Sequence, residues 1–300
     1  MRSLALAVMI AASLAACSRP SSPSADDGAA SDTGSTLEKT SAPAPASVRL
    51  YAFDCGEIDV LDLGVFDLGG AYAGRTSKLV DPCFLVRHPQ GDLVWDAGLP
   101  GSLAATPEGV VSGPFAIRLA ETLESQLARL GLAPADIEYF SASHSHFDHV
   151  GDARLFAGAT FIVQKAERAY MFRDEARADA EAFAAYAPLE SAETIVIDGD
   201  HDVFGDGSVE IAATPGHTPG HAVLKLRLDN AGTVLLSGDL YHFREARQKR
   251  TIPTWNTDPD QTRASMDRFE ALAAETGARV VIQHDPEDYA ALPRPPEFLD

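Results

Sequence analysis

The chain has 300 residues, and 45% of them are hydrophobic, which is enough to build one large domain or two modest ones and is unlike a disordered protein. Its formal net charge of -20 gives it a surface that repels nucleic-acid phosphates and anionic lipid headgroups, so we expect no nucleic-acid partner. After the first residues, no apolar run approaches the roughly 20 residues that a membrane-spanning helix needs.

The N-terminus is typical of an export signal. Arg2 is followed by an apolar run at residues 4–14 and then by Leu14-Ala15-Ala16-Cys17. These four residues resemble a bacterial lipobox, in which the cysteine is acylated and becomes the mature N-terminus, and Ser18 favours sorting to the outer membrane. This interpretation predicts a lipoprotein signal peptide at 1–17 and an exported protein anchored to the outer membrane through Cys17, facing the periplasm. The alternative is ordinary signal-peptide cleavage near Ala16.

Residues 18–47 are rich in Ser, Ala, Pro, Asp, Gly and Thr and contain almost no large apolar side chains, which predicts a flexible linker. The folded domain is then predicted at 48–300. It contains two cysteines, Cys55 and Cys83, which can form a disulfide in an oxidising compartment if their strands are neighbours. Two buried free thiols are the alternative. Neither cysteine belongs to a Cys-x-x-Cys pair, so they do not resemble metal ligands.

The folded part begins with short β-rich runs, continues with a central helical stretch and returns to strands before a last helix. The predicted strands lie at 48–53, 83–88, 92–96, 138–142, 160–163, 194–197, 208–212, 221–228, 233–237 and 279–283. Several of them are entirely apolar, as expected of strands buried on both faces. Helices are predicted at 117–130, 165–187 and 260–276, and Asp206-Gly207 predicts a tight hairpin.

The strongest chemical signal is the run Ser-His-Ser-His-Phe-Asp-His-Val-Gly at 143–151, directly after a predicted strand. Loops at the carboxyl ends of strands are where α/β proteins place their chemistry. Residues two apart share a side of an extended chain, so His144 and His146 can bind one metal ion, while Asp148 and His149 can face a second. Burying these groups together without a cation would be costly. Imidazole and carboxylate ligands suit Zn²⁺, with Fe and Mn as alternatives.

Three further positions complete the set of metal ligands. His217 lies between two Pro-Gly turns, in a rigid loop at 214–221. Asp239 follows an apolar strand, and its carboxylate can bridge two cations through its two oxygens. His284 also follows a predicted strand. Five histidines and two aspartates divide into three ligands for each of two divalent metal ions and one shared ligand.

These motifs, in this order, resemble those of the metallo-β-lactamase superfamily, and the resemblance extends from Val48 to the C-terminus. It implies an α+β fold, the αββα sandwich, in which two mixed β-sheets pack together with helices outside. It also implies that the first metal is held by His144, His146 and His217, the second by Asp148, His149 and His284, and that Asp239 bridges them. Trp95-Asp96-Ala97-Gly98 resembles the Asp-x-Gly turn of the family, which makes Asp96 a candidate for orienting the ligands.

Two cations about 3.5 to 4 Å apart lower the pKa of a shared water, so such a centre is suited to hydrolysis, and Asp148 is a candidate for moving a proton after attack. Residues 51–56, 83–89 and 95–100 resemble the N-acyl-homoserine lactonase family, which opens the lactone ring of acylated quorum signals. The implied substrate is a small lactone or ester. An acyl groove, or alternatively plain core, is predicted from Phe66, Tyr72, Met171, Phe172 and Phe183. A homodimer is also compatible with the sequence.

One departure concerns the residues after Asp239. The lactonases that this chain resembles have a tyrosine three residues after the bridging aspartate, where it hydrogen-bonds the substrate carbonyl. Here His242 has that offset and Tyr241 is one residue early, so both are candidate catalytic residues. If Tyr241 has this role, Tyr241→Phe lowers turnover at least several-fold.

The same motifs are compatible with other activities. A hydrolase of the same fold can act on esters, phosphotriesters or thioesters. The fold can also hold a single iron and oxidise persulfides, in which case His284 would not be needed as a ligand.

Overall fold

The structure is a computed structural model that describes residues 42–300. The predicted signal peptide and most of the predicted linker lie outside the described residues. The last part of that linker contacts the domain, because the guanidinium of Arg87 donates hydrogen bonds to the carbonyls of Ala42 and Pro43, each at 3.1 Å. The part of the chain that packs against the domain therefore begins by Ala42, before the predicted domain boundary at 48. No helix within 42–300 is long and apolar enough to cross a membrane.

The described residues form two mixed β-sheets. The strands are β1 (Arg49–Val60), β2 (Ser77–His88), β3 (Gly91–Trp95), β4 (Val110–Ser112), β5 (Phe115–Arg118), β6 (Tyr139–Ser141), β7 (Thr160–Gln164), β8 (Thr194–Ile197), β9 (His201–Asp202), β10 (Val209–Ala213), β11 (Ala222–Leu228), β12 (Gly232–Leu236) and β13 (Arg279–Val281). The first sheet has the order β4-β5-β1-β2-β3-β6-β7-β8, and the second has the order β13-β12-β11-β10-β9. Each sheet combines antiparallel pairs with parallel ones, such as β3 with β6 and β12 with β13.

The two sheets pack face to face through one apolar core. Phe84 and Trp95 of the first sheet and Leu224 and Leu236 of the second are all fully buried in it. These strands are covered on both faces, which explains why their sequences are apolar without alternation.

Helices cover the outer face of each sheet. They are α1 (Leu123–Arg129), α2 (Lys165–Met171), α3 (Asp174–Arg177), α4 (Ala180–Ala184), α5 (Arg244–Lys249), α6 (Pro259–Thr276) and α7 (Pro286–Ala290). Leu123 and Leu127 of α1 join the core outside the first sheet, and Met266 and Phe269 of α6 join the core outside the second. The predicted αββα sandwich is confirmed.

The predicted helix at 117–130 is wrong in its first half. Ile117 belongs to β5 and pairs with Ile58 of β1, so sheet pairing overrides the helical spacing of leucines in this segment. The helix begins at Leu123, after Thr122, whose side chain accepts a hydrogen bond from the backbone N–H of Ser125 and caps the helix. The predicted helix at 165–187 is divided into the short helices α2, α3 and α4.

Cys55 and Cys83 form a disulfide, which decides between the two alternatives left open by the sequence. They lie on the neighbouring strands β1 and β2, with their Cα atoms 5.6 Å apart. Gly98 closes over the bond with φ 62°, and a Cβ at that position would lie 2.3 Å from the Cβ of Cys55. The backbone therefore passes so close to the disulfide that only glycine fits.

The disulfide is expected to contribute to stability by restricting the unfolded chain. For a sequence separation of 28 residues, the loop-entropy relation gives about 3 to 4 kcal/mol. The double variant Cys55→Ala/Cys83→Ala should lose about that much free energy of unfolding in urea titrations of the metal-loaded protein. Reduced wild-type protein should lose a similar amount, and a double variant with the free energy of unfolding of the oxidised wild type would contradict this prediction.

Candidate metal centre

All the predicted metal ligands converge where strands of both sheets end. The loop 144–149 follows β6, His217 lies between β10 and β11, Asp239 follows β12 and His284 follows β13. Their donor atoms form two groups, and within each group the atoms lie within 4.8 Å of one another. The first group is His144, His146, His217 and Asp239, and the second is Asp148, His149 and His284.

The first group brings three imidazoles and one carboxylate oxygen together. His146 Nδ1 lies 2.8 Å from His144 Nε2 and 3.1 Å from His217 Nε2. Asp239 Oδ2 lies 3.5 Å from His144 Nε2 and 3.3 Å from His217 Nε2. All four side chains therefore point at one small volume.

The other oxygen of the same carboxylate faces the second group. Asp239 Oδ1 lies 3.2 Å from His149 Nε2 and 2.8 Å from His284 Nε2. Asp148 is next to them, with its Oδ1 3.9 Å from His149 Nε2. Asp239 thus turns one oxygen toward each group, which is the arrangement that a bridging ligand requires.

The charges in the first group fit a cation. Burial lowers the pKa values of His144 and His146 well below the usual range, and the neighbouring imidazoles lower them further. Both side chains are neutral at physiological pH, and their nitrogens lie close together with lone pairs that a cation can accept. Divalent cations accept neutral imidazole and carboxylate ligands of this kind, so the residues present fit two such ions.

The two imidazoles of the second group, His149 and His284, are protonated in the metal-free protein. Burial opposes the charged form of His149, but Asp239, Asp96 and Asp148 outweigh it and raise the pKa of this imidazole well above the usual range. For His284, burial again opposes the charge, and Asp239 raises the pKa to about 9. A cation that enters this group must therefore displace protons.

Metal affinity at the second group is expected to rise with pH up to about 9, the pKa of His284 in the metal-free protein. Below that value, each unit of decrease in pH lowers the unprotonated fraction of His284 about tenfold, so displacement of this proton alone makes the dissociation constant fall about tenfold per unit as pH increases. The proton on His149 must be displaced as well and makes the dependence on pH steeper. Competition with a chelator across this range measures the slope. A dissociation constant independent of pH would contradict the protonation states described here.

Asp96 lies behind the ligands, as its predicted orienting role requires. Its Oδ1 accepts the backbone N–H of Ser143 at 2.6 Å, and its Oδ2 lies 3.0 Å from His149 Nδ1. The same oxygen accepts a bond from the side-chain amide of Gln283, next to His284. Asp96 has φ 61°, an uncommon backbone conformation for any residue except glycine. Holding Nδ1 of His149 leaves its Nε2 directed at the metal centre.

His221, the last residue of the loop 214–221, supports the bridging aspartate. Its Nε2 accepts the backbone N–H of Asp239 at 3.0 Å, and its Nδ1 lies 3.1 Å from the carbonyl of Thr214. Burial, together with the neighbouring His217, lowers its pKa to about 3, so this imidazole is neutral. A neutral ring can donate through one nitrogen and accept through the other, and in this way it fixes the backbone of the bridging aspartate.

The structure places Tyr241, one of the two predicted catalytic residues, away from the metal ligands. Its side chain points away from the metal centre into the core outside the second sheet, where its ring lies 5.9 Å from that of Phe269. The backbone of Tyr241 is extended (φ -143°, ψ 134°), and successive side chains of an extended chain point to opposite sides. Tyr241 and His242 therefore cannot both face the ligands.

His242 is the residue that faces them. Its Nε2 lies 3.1 Å from Asp239 Oδ2, and its ring centre is 5.5 Å from that of His217. Burial lowers its pKa, against the opposing effect of Asp239, so the ring is neutral and can donate one hydrogen bond. Phe66 packs against it at 4.9 Å, edge to face.

The five residues proposed for an acyl groove separate into two places. Phe66 and Tyr72 belong to the apolar cluster beside His242, together with Phe115 and Trp255. Met171, Phe172 and Phe183 belong to a different core, outside the first sheet. Met171, Phe172 and Phe183 are therefore core residues, as in the alternative to an acyl groove.

The fold and the metal centre define a metal-dependent hydrolase. The family model described as "Metallo-beta-lactamase superfamily" matches residues 79–284. The chain belongs to this superfamily, as its motifs indicated.

Several relatives within the superfamily are lactonases by name. N-acyl homoserine lactonase AttM of Azorhizobium caulinodans is 31% identical over 239 residues, which are 76% of this chain and 90% of AttM. N-acyl homoserine lactonase AiiA of Bacillus thuringiensis subsp. kurstaki is 28% identical over 233 residues, 75% of this chain and 89% of AiiA. A solved structure of an N-acyl homoserine lactone hydrolase, with the product N-hexanoyl-L-homoserine at its catalytic metal centre, superposes with a TM-score of 0.69. Its sequence is 26% identical, and the match covers 84% of this chain and 99% of that one.

Proposed function

We propose that this protein opens the lactone ring of N-acyl-homoserine lactones at a centre that holds two divalent cations. The observation that carries the proposal is the Asp239 carboxylate, which turns one oxygen to each of two groups of ligands. The similarity to AttM and AiiA along about three quarters of the chain supports the lactone as the substrate.

The side chains around the centre have the positions that ester hydrolysis needs. When bound, two cations lower the pKa of a water and polarise the carbonyl of an ester. His242 is neutral, and its single N–H faces Asp239 Oδ2 in the metal-free protein; once Asp239 binds the cations, that N–H can donate instead to the oxygen on which negative charge develops. Asp148 lies at the second group and is 9% exposed, so its carboxylate can take a proton from the attacking water and pass it to the leaving alkoxide.

The surroundings favour a neutral substrate with an apolar tail. Phe66, Phe115 and Trp255 form an aromatic cluster next to His242. Phe147, between His146 and Asp148, is 38% exposed and adds an aromatic surface at the ligand loop. The formal net charge of -20 disfavours the approach of anionic substrates such as acidic thioesters. An N-acyl-homoserine lactone is uncharged and amphipathic, which suits both features.

We further propose zinc as the native metal, since five imidazoles and two carboxylates without thiolates are ligands that Zn²⁺ accepts readily. We also propose that the protein is exported as a lipoprotein, anchored to the outer membrane through Cys17 on the periplasmic side. The disulfide between Cys55 and Cys83 supports an oxidising compartment. Mass spectrometry of the mature N-terminus tests the anchor, because it distinguishes an acylated Cys17 from cleavage near Ala16.

The substrate is tested by comparing hydrolysis of N-hexanoyl-homoserine lactone, a β-lactam, a thioester and a phosphotriester by the zinc-loaded protein. We expect kcat/KM for the lactone to exceed the others by about 100-fold or more. Oxygen consumption with a persulfide, measured in the iron-loaded protein, should be absent. Hydrolysis of only the thioester or the phosphotriester would refute the proposed substrate while leaving the metal centre intact.

A further inference from the structure

Glu167 of helix α2 is a buried carboxylate that lies outside the ligand set and is bonded to two of the ligand loops. We propose that it is a positioning residue for the first metal site, and that it braces the segments 144–146 and 217–220 so that His144, His146 and His217 converge on one cation. This inference rests on the metal centre of the proposed function but not on its substrate.

The carboxylate accepts four hydrogen bonds, two at each oxygen. Oε1 accepts the backbone N–H of Ser145 at 2.8 Å and the hydroxyl of the same residue at 2.6 Å. Oε2 accepts the hydroxyl of Thr218 at 2.7 Å and the backbone N–H of Gly220 at 2.9 Å. One side chain thus joins two loops that are far apart in the sequence.

The bonded residues are next to the ligands of the first site. Ser145 lies between His144 and His146, and Thr218 directly follows His217. The second loop also packs tightly on the start of α2, because a Cβ at Gly220 would lie 2.4 Å from the backbone nitrogen of Glu167. Any shift of this carboxylate therefore moves the three imidazoles relative to one another.

The chemistry of the bonds requires a carboxylate. Glu167 is only 2% exposed, and it forms no ion pair with a basic side chain anywhere in residues 42–300. An ionised carboxylate only accepts hydrogen bonds, whereas the amide of glutamine has one oxygen and one nitrogen that donates. In Glu167→Gln, the amide nitrogen must face either the N–H of Ser145 or that of Gly220, and that buried donor loses its partner.

The second metal site has a separate brace. Asp96 bonds His149 and the neighbours Ser143 and Gln283, as described above, and it makes no bond to the loop of His217. Glu167 in turn bonds neither His149 nor the segment of His284. Loss of Glu167 should therefore weaken the first site selectively, whereas a merely structural residue would affect both sites.

The test measures metal affinity at each site in turn. In a His284→Ala background the remaining tight site is the first, and in a His217→Ala background it is the second. Dissociation constants for Co²⁺ are measured by chelator competition and by the visible absorption of bound Co²⁺. We expect Glu167→Gln to weaken the first site by about 10- to 100-fold and to leave the second within about twofold. Glu181→Gln removes the same charge from an exposed position and should change neither constant.

Equal weakening of both sites, or no weakening of the first, would overturn the proposal. If Glu167→Gln does not fold, Ser145→Ala/Thr218→Val removes both hydroxyl bonds and keeps both backbone bonds. It should weaken the first site several-fold without affecting the second, and wild-type affinity at the first site would then count against the brace. The affinities are measured without substrate, so a protein that binds both ions as expected but opens no lactone refutes the proposed function alone.

Discussion

Replacement of Asp239 by asparagine is expected to lower lactone hydrolysis by at least about 100-fold and to reduce the metal content below two ions per chain. The reason is that each of its two carboxylate oxygens faces a different group of ligands. Burial opposes ionisation of Asp239, but His242, His149 and His284 hold its pKa well below the usual value. Asparagine keeps the size of the side chain but turns a nitrogen, which cannot bind a cation, toward one of the two groups.

Metal analysis after dialysis, alongside circular dichroism, separates loss of metal from loss of fold in this variant. Asp229→Asn, at an exposed turn before β12, removes the same charge and should keep both ions and full activity. If Asp239→Asn still retains two ions and near wild-type turnover, Asp239 does not bridge, and the paired centre described here is incorrect.

Replacement of His242 by phenylalanine is expected to lower kcat about 100-fold, whereas Tyr241→Phe should leave kcat within about twofold. The single N–H of His242 faces Asp239 Oδ2 at 3.1 Å, and it can turn to a substrate oxygen when Asp239 binds the cations. Tyr241 is turned into the core against Phe269 and cannot reach it. The phenylalanine at 242 keeps the edge-to-face contact with Phe66, so the loss reports the hydrogen bond and not the packing.

His242→Tyr is the informative companion variant. It places a phenol at the offset where the lactonases that this chain resembles have one, so it should recover most of the activity that His242→Phe loses. Steady-state kinetics on N-hexanoyl-homoserine lactone gives kcat and KM for all three variants. A large loss in Tyr241→Phe with no loss in His242→Phe would reverse the assignment.

The metal ligands could be predicted because local sequence alone places them. Asp239 and His284 follow β12 and β13, which are parallel neighbours in the second sheet and end at a common edge, and the packing of the two sheets brings His144, after β6 of the first sheet, to the same place. The spacing of His144 and His146 puts two donors on one side of an extended loop. The motifs identify the ligands, and the αββα sandwich that they imply supplies the packing of the two sheets.

Features that depend on distant contacts could not be predicted. The leucine spacing at 117–130 is helical, yet the pairing of Ile117 with Ile58 makes its first part a strand. The side to which Tyr241 points depends on the backbone between β12 and α5, one residue of which decides whether it or His242 faces the ligands. Glu167 resembles any helical glutamate until two loops, distant in sequence, are seen to donate to it.

Anomalous diffraction from crystals of the zinc-loaded protein is the most direct test of the paired centre. Data on both sides of the zinc absorption edge should show two peaks about 3.5 to 4 Å apart on either side of the Asp239 carboxylate. One peak should be contacted by His144, His146 and His217, and the other by Asp148, His149 and His284. A single peak, or two peaks without a shared Asp239, would contradict the account.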